Sequence, residues 1–273
     1  GERQPHDAVT SQIAATARGT VGAVTDTGRL VRLDVVATPE VPRRNGALSL
    51  AGGQPARLLV DIEPEEKVVG LVPIGSPDHP PIVLATAGGV IKRVKPGDEP
   101  GRGDAWDVIA LADGDRVVFA DTAEDSDILA LVSSDAQLLR TPAAKVRPQG
   151  RTAGGMAGMK LNAGAEALGF WVVEAPIDAV VVTVAAALGA LPGTGQTTVK
   201  VTPFECYPTK GRGGQGVRCQ RFLRGEDRLD IAWVGTKPAR AASADGSPVE
   251  LPSEDERRDG SGVPITFAIA SIG

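Results

Sequence analysis

The sequence predicts an all-β protein, a radial, propeller-like disc of about five four-stranded blades. Three observations predict it. Glycine (34) and proline (21) are abundant while aromatics are 3%, a mixture that suits many short strands joined by turns. A hairpin-like segment recurs along the chain, and a glycine- and cation-rich segment follows each copy. A unit of four strands repeated about five times must cover its sheet edges, and radial packing of blades does so economically.

Taken in chain order, residues 1–19 show only a weak helical pattern in "SQIAATAR" and are expected to be a tail or linker before one domain of residues 20–273. The start "GERQPHDAVT" has neither Met nor a signal-peptide core, which suggests a domain excised from a soluble, cytosolic protein. No apolar run approaches the roughly 18–20 residues that cross a bilayer; "AVVVTVAAALGAL" reads as a buried strand pair.

The hairpins come next. "AVTDTGRLVRL", "LATAGGVIKRV" and "LVSSDAQLLRT" align without gaps, sharing columns of Thr25, Thr86 and Ser133; of Gly28, Gly89 and Ala136; of Leu30, Ile91 and Leu138; and of Arg32, Arg93 and Arg140. Each reads as a strand, a tight turn and a second strand ending in a cation. Residues 179–203 fit a fourth hairpin with its tip at "LPGTGQ" and Lys200 near the arginine column. "ASADGSPVELP" is a fifth, with Glu250 in that column. Successive column positions are separated by 61, 47, 60 and 50 residues, so five units account for nearly the whole chain.

Closing strands follow acidic turns in "EEKVVGLVPI", "GDRVVFADTA", "AEALGFWVVE" and "EDRLDIAWVG". Between hairpin and closing strand lie the glycine- and cation-rich segments: "PRRNGALSLAGG", "KPGDEPGRGDAW", "RPQGRTAGGMAGMKL", "KGRGGQGVR" and "ERRDGSGVP".

Charge follows the same period. The net charge of −5 argues at first against a polyanion partner, but residues 136–165 hold five cations and no carboxylate, and residues 199–224 hold six cations against Glu205 alone. Residues 113–127 hold six acids against Arg116 and residues 61–66 hold four. Closure into a disc is expected to gather basic segments on one surface and acidic segments on another. The plainer reading is that these are solvated loop charges protecting strand edges.

Several chemistries are excluded. "KGRGGQG" lacks the Lys-Ser/Thr and helix that a phosphate loop needs. His6 and His79 stand apart from any nucleophile pattern. Cys206 and Cys219 have neither disulfide-framework nor zinc spacing. Tyr207 reads as a strand-end residue, Trp171, Trp233 and Phe119 as packing between blades, and the carboxylate pairs Asp113–Asp115 and Glu254–Asp255 as turn residues without a metal-ligand set.

The repeated hairpin ending in a cation, the Gly-Arg segment after it and "ECYPTKGRGGQGV" together resemble the C-terminal domain of bacterial type IIA topoisomerase A subunits, those of DNA gyrase and topoisomerase IV. The likeness covers about residues 20–273. It implies a β-pinwheel of five or six blades, with a strand hairpin exchanged between neighbours and DNA running over a basic perimeter. The gyrase box, Gln-Arg-Arg-Gly-Gly with a basic residue and Gly after it, is met in the first unit only by Arg43, Arg44 and Gly46 of "VPRRNGALS"; "GRGGQG" of the fourth unit fits better. A degraded first box favours topoisomerase IV over gyrase and bending over full wrapping.

The resemblance further implies duplex DNA as partner, along with the parent polypeptide's own N-terminal cleavage core and the ATPase subunit of the holoenzyme. The isolated domain is expected to be monomeric, away from membranes and in the bacterial cytoplasm at the nucleoid. No cofactor is expected in this fragment; ATP and Mg²⁺ belong to other parts of the parent topoisomerase. The cleavage tyrosine also lies in another domain, so Tyr207 does not inherit that role. The residues expected at DNA are Arg32, Arg43, Arg44, Lys92, Arg93, Lys95, Arg140, Lys145, Arg147, Arg151, Lys160, Lys200, Lys210, Arg212, Arg218 and Arg221, with Gly213, Gly214 and Gly216 admitting close backbone approach. A propeller scaffold binding an acidic protein is the competing class.

Overall fold

Each unit opens with the hairpin its sequence predicts, in a computed structural model that describes residues 9–40, 53–98, 103–187 and 197–273. The "LPGTGQ" tip of the fourth hairpin lies outside the described residues. The first unit contributes β1 (Thr20–Thr25), β2 (Arg29–Leu33) and β3 (Val68–Ile74). The second has β4 (Ile82–Thr86), β5 (Val90–Val94), β6 (Ala105–Asp107) and β7 (Val117–Thr122). The third has β8 (Ile128–Ser133), β9 (Gln137–Pro142), β10 (Pro148–Gln149), β11 (Met156–Ala157) and β12 (Ala167–Val173). The fourth has β13 (Ala179–Ala186), β14 (Thr198–Pro203), β15 (Val217–Arg218) and β16 (Arg228–Thr236). The fifth has β17 (Ala241–Ala242), β18 (Pro248–Val249), β19 (Val263–Pro264) and β20 (Ser271–Ile272). Residues 11–18 contain no helix, although Ser11 Oγ accepts from Leu71 N at 2.9 Å.

The hairpin tips are built alike. Thr25, Thr86 and Ser133 hydroxyls accept the backbone N–H of Arg29, Val90 and Gln137 at 3.2, 3.3 and 3.2 Å. Gly28, Gly89 and Gly246 turn the chain at φ 81°, 80° and 83°, and Ala136 does the same at 60°. The alignment column is therefore a column of left-handed backbone.

Strands do not stay within their own unit. The sheets run β3-β1-β2-β6, β10-β5-β4-β7 with β11 also on β5, β12-β8-β9-β15, β16-β13-β14-β19, and β18-β17-β20. In the first four, the strand paired to the second hairpin strand comes from the next unit: Leu30 faces Trp106, Ile91 faces Met156, Leu138 faces Val217 and Val199 faces Val263. Each of these blades is completed by its neighbour.

The closing strands β3, β7, β12 and β16 pack side by side in sequence. Each pairs with the first hairpin strand through a bulge at an equivalent place, opposite Val24/Thr25 and Ala85/Thr86, at Ala167/Gly169, and opposite Val184/Ala185. Backbone bonds of 2.8 Å lock adjacent blades, from Val117 N to Asp26 O, Ala167 N to Ala87 O and Leu229 N to Ser134 O. Between the blades lie apolar layers, such as Val83, Leu129, Leu131, Leu139 and Phe170, with Phe119 tilted against Phe170 at 5.9 Å. Because blades stack on both sides, β13 is buried at all eight positions.

The bulge two residues after each cation's partner fixes the register. Gly22, Val83 and Ala130 face Arg32, Arg93 and Arg140; the matching Val182 faces Val201. Lys200 therefore stands in the column of Lys92, one residue before the arginine column.

Gly70 on β3 lets that strand approach β7 so closely that a Cβ there would sit 1.9 Å from Ala120 O. Replacing it forces backbone apart, with overpacking costs of about 1–3 kcal/mol. Gly70→Ala is expected to lower the melting temperature by roughly 2–12 °C in thermal denaturation, at about 2–4 °C per kcal/mol; an unchanged midpoint would show that the two inner strands do not meet there.

Candidate nucleic-acid interface

The borrowed strands form the outer edge of four sheets, so the glycine- and cation-rich segments that lead into them run along the perimeter. Consecutive segments are stitched together. Lys210 N donates to Arg140 O at 2.8 Å, Gly213 N to Gly158 O at 2.6 Å and Lys160 N to Gly214 O at 3.0 Å. The Arg212 guanidinium, though exposed, donates to Lys145 O at 3.0 Å and Ala157 O at 3.1 Å. Gly216 must be glycine: it has φ 85°, and a Cβ would lie 2.4 Å from Leu138 O. "KGRGGQG" is thus a seam between neighbouring perimeter segments.

The expected site residues fall into three groups. Lys95, Lys145, Arg147, Lys160, Lys210, Arg212, Arg218 and Arg221 are exposed on or beside the perimeter segments, as is Gly213; Arg151, Gly214 and Gly216 are half-buried there. Arg43 and Arg44 lie outside the described residues. The third group departs from expectation.

Lys92, Arg93 and Lys200 are 0%, 2% and 2% exposed, so their charged ends are not available to phosphate. Arg93 donates to Ala123 O at 2.9 Å, Val146 O at 3.2 Å, Ala143 O at 3.3 Å and Asp125 Oδ1 at 2.6 Å. Arg140, half-buried, does the equivalent one blade on: it donates to Tyr207 O at 3.1 Å and Phe204 O at 3.4 Å and stacks 4.8 Å from the Phe204 ring. Both arginines hold a 3-10 turn, Ala143–Lys145 or Phe204–Cys206, that belongs to the next unit. Arg32 stacks at 5.0 Å on Trp106 of the borrowed β6 and donates to Gly103 O at 3.1 Å. Lys200 bonds the Thr202 hydroxyl, and burial lowers its proton affinity. The arginine column is legible as a repeat, but its cations grip the neighbouring unit's backbone.

The acidic segments also divide. Residues 113–127 traverse β7, leaving Asp113 and Asp115 at its start and Glu124, Asp125 and Asp127 beyond its end. They flank the strand at its opposite ends. Asp115 Oδ1 accepts Gly88 N at 2.8 Å, and buried Glu66 accepts from Thr27 and, at 2.9 Å, from Arg29, so these turns tie closing strands to hairpin tips. Tyr207 is 1% exposed and burial pushes its phenol well up; burial likewise pushes the Cys219 thiol to about 12. Neither is a poised nucleophile. Among the described residues no cluster of three His, Cys, Asp or Glu side chains could hold a metal, and no helix is long and apolar enough to cross a membrane.

A family model described as DNA gyrase C-terminal domain, beta-propeller, matches residues 127–170 and 198–231. The gyrase A protein of Mycobacterium bovis is 32% identical over 209 residues, 75% of this chain and 23% of the relative. That of a Nocardioides species is 29% identical over 250 residues, 82% of this chain and 26% of the relative. The chain thus spans about a quarter of the length of the curated relatives it matches. A solved C-terminal domain of DNA topoisomerase IV superposes with a TM-score of 0.73 at 17% identity, covering 94% of this chain and 79% of that one. A DNA gyrase A C-terminal domain gives 0.65 at 15% identity, covering 94% of this chain and 83% of that one.

Arg93→Met is expected to behave as a stability variant. It strands carbonyls that a buried guanidinium satisfied, costing about 2 kcal/mol or more, so the melting midpoint falls by roughly 4–8 °C. The salt dependence of any DNA binding stays as in the wild type. A flattened salt slope at unchanged stability would return Arg93 to the phosphate contacts.

Proposed function

The chain belongs to the C-terminal β-propeller domain family of bacterial type IIA topoisomerase A subunits, and we propose that it binds duplex DNA along its perimeter and bends it. The observation that carries this reading is the continuous seam of residues 145–161 and 210–221, whose exposed cations face solvent with no carboxylate among them. Such a strip neutralises phosphates without reading bases, so binding is largely sequence-independent. The glycines serve the strip by holding it together: the Gly213 N–H is spent on Gly158 O, and Gly216 clears Leu138 O. A bend of 40–90° costs on the order of 1–6 kcal/mol, which several phosphate contacts per blade offset.

In this reading the parent protein is a topoisomerase whose cleavage chemistry, ATP and Mg²⁺ belong to other domains and subunits, and this domain presents a DNA segment to the cleavage core. Two assignments differ in consequence. The sequence likeness to gyrase A proteins favours a wrapping domain. The incomplete Arg43–Arg44 box favours a topoisomerase IV-like bending domain, the assignment we prefer. A linking-number assay separates them: nicked circles ligated with bound protein keep their linking number under simple bending and shift it under chiral wrapping.

The direct test is a salt titration on duplexes of about 40 base pairs. With six or more phosphates neutralised, affinity is expected to fall by about 10³ or more between 50 and 200 mM salt, linearly on a log–log plot. Arg147→Ala should lower the slope by about 0.9 for one lost phosphate. Failure to bind at about 50 mM salt would favour the scaffold for an acidic protein.

A further inference from the structure

Lys92 lies in mid-β5 with its side chain wholly enclosed. Its ammonium donates to Val108 O at 2.7 Å, Arg151 O at 2.7 Å and Ala153 O at 2.6 Å. Three carbonyls match the three N–H donors of a charged lysine. They come from two borrowed stretches. Val108 follows β6, lent by the second unit to the first sheet, and Arg151 and Ala153 lie between β10 and β11, lent by the third unit to the second sheet.

Three other hydrogen bonds hold that second stretch: Arg151 N donates to Asp98 Oδ2 at 2.6 Å, Ala153 N closes a turn on Gly150 O at 3.1 Å, and Ala153 O also accepts from Ala110 N at 3.2 Å. We propose that Lys92 is a positioning residue for the perimeter: from inside the blade its ammonium fixes residues 150–155 and thereby presents Arg151 to a polyanionic backbone. This rests on the DNA-binding reading. It gives the buried lysine a part in binding without contact to the ligand.

The ionisable groups on the packed segments are Asp107 beside Val108, Arg151, Lys95 and Asp98 after β5, and Arg93 on the same strand. Burial lowers Lys92 to about 8, while Asp98 pulls it upward. A neutral amine has two donors and a lone pair, so above that pH one carbonyl faces a lone pair and the clamp loosens. The folded value lies below the unfolded one, so between about 8 and 10.5 the folded chain holds fewer protons and this group's contribution to global stability rises with pH. A loosening of residues 150–155 across that window is then separable from unfolding.

The test uses the full chain with a duplex of about 40 base pairs at about 100 mM salt. Lys92→Met and Arg151→Ala are each expected to weaken binding about fivefold, and the double variant to bind within about twofold of Arg151→Ala alone, the non-additivity of residues acting through one another. Without DNA, amide exchange at residues 150–155, corrected for intrinsic rates, should be about tenfold faster in Lys92→Met and should accelerate in the wild type between pH 7 and 9, with the melting midpoint maintained. Additive losses, or exchange at 150–155 unmoved by both the substitution and pH, overturn the proposal. If the wild type binds no DNA, the DNA reading fails, and the exchange measurement alone decides the clamp. If Lys92→Met does not fold, the wild-type pH series decides it.

Discussion

Each of the first four sheets in this chain is finished by a strand that belongs to the next unit, and the perimeter owes its continuity to that loan. A unit alone leaves its second hairpin strand with open N–H and C=O groups, a cost no side chain there can meet. Pairing Leu30 with Trp106, Ile91 with Met156 and Leu138 with Val217 closes those edges and pulls the following glycine-rich segment to the outside of the disc. The cations of residues 145–161 and 210–221 are outermost because the segments that carry them run beside the strands that finish a neighbour's sheet.

The same arrangement explains why cations lie inside. A borrowed strand arrives from a connection that crosses between blades, and its turns bury carbonyls that no ladder satisfies. Arg93 and Arg140 each reach two of those carbonyls through Nη1, at Ala143 and Val146 in one case and Phe204 and Tyr207 in the other. An isolated buried charge is expensive, and one whose terminal guanidinium nitrogens meet carbonyl oxygens is less so, although the Nε–H of Arg93 and that of Arg140 are buried without a hydrogen-bond partner. The buried cations of β5 and the half-buried Arg140 of β9 hold the perimeter's scaffold, and the exposed cations on that scaffold are left to meet a ligand. Positive charge in one repeat thus serves two purposes that differ only in depth.

Much of this was legible in the sequence. The hairpins, the left-handed turns at Gly28 and Gly89, the closing strands and the five-unit period were readable, because turn chemistry and repetition are local signals, whereas the left-handed backbone at Ala136 had no such residue to mark it. Depth was not. In a half-exposed sheet, alternation distinguishes inward from outward residues, but a stacked blade buries both faces of its middle strands. Lys92 and Arg93 are adjacent and both enclosed, so no period-two pattern marked either. What the sequence did offer was context, since both sit between Ile91 and Val94 in a strand with no polar break. Strand exchange left no local signal either, because pairing between Leu138 and Val217 spans most of two units.

The register of the fourth unit shows how tightly cation and turn are coupled. The arginine column is occupied by Val201 there, and Lys200 falls one place earlier, so no guanidinium projects toward the fifth unit from that position. Among the described residues that unit lacks the 3-10 turn that follows the second hairpin strand in the third and fourth. At this end of the chain the donor and the buried carbonyls it would satisfy are both missing, whereas Arg32, with no such turn after β5 in the described residues, bonds Gly103 O instead. In the described residues β18 receives no borrowed strand; it is two residues long, begins at Pro248 and is followed by exposed Glu250. A proline, a charge and brevity are the devices that discourage another chain from pairing with an open edge.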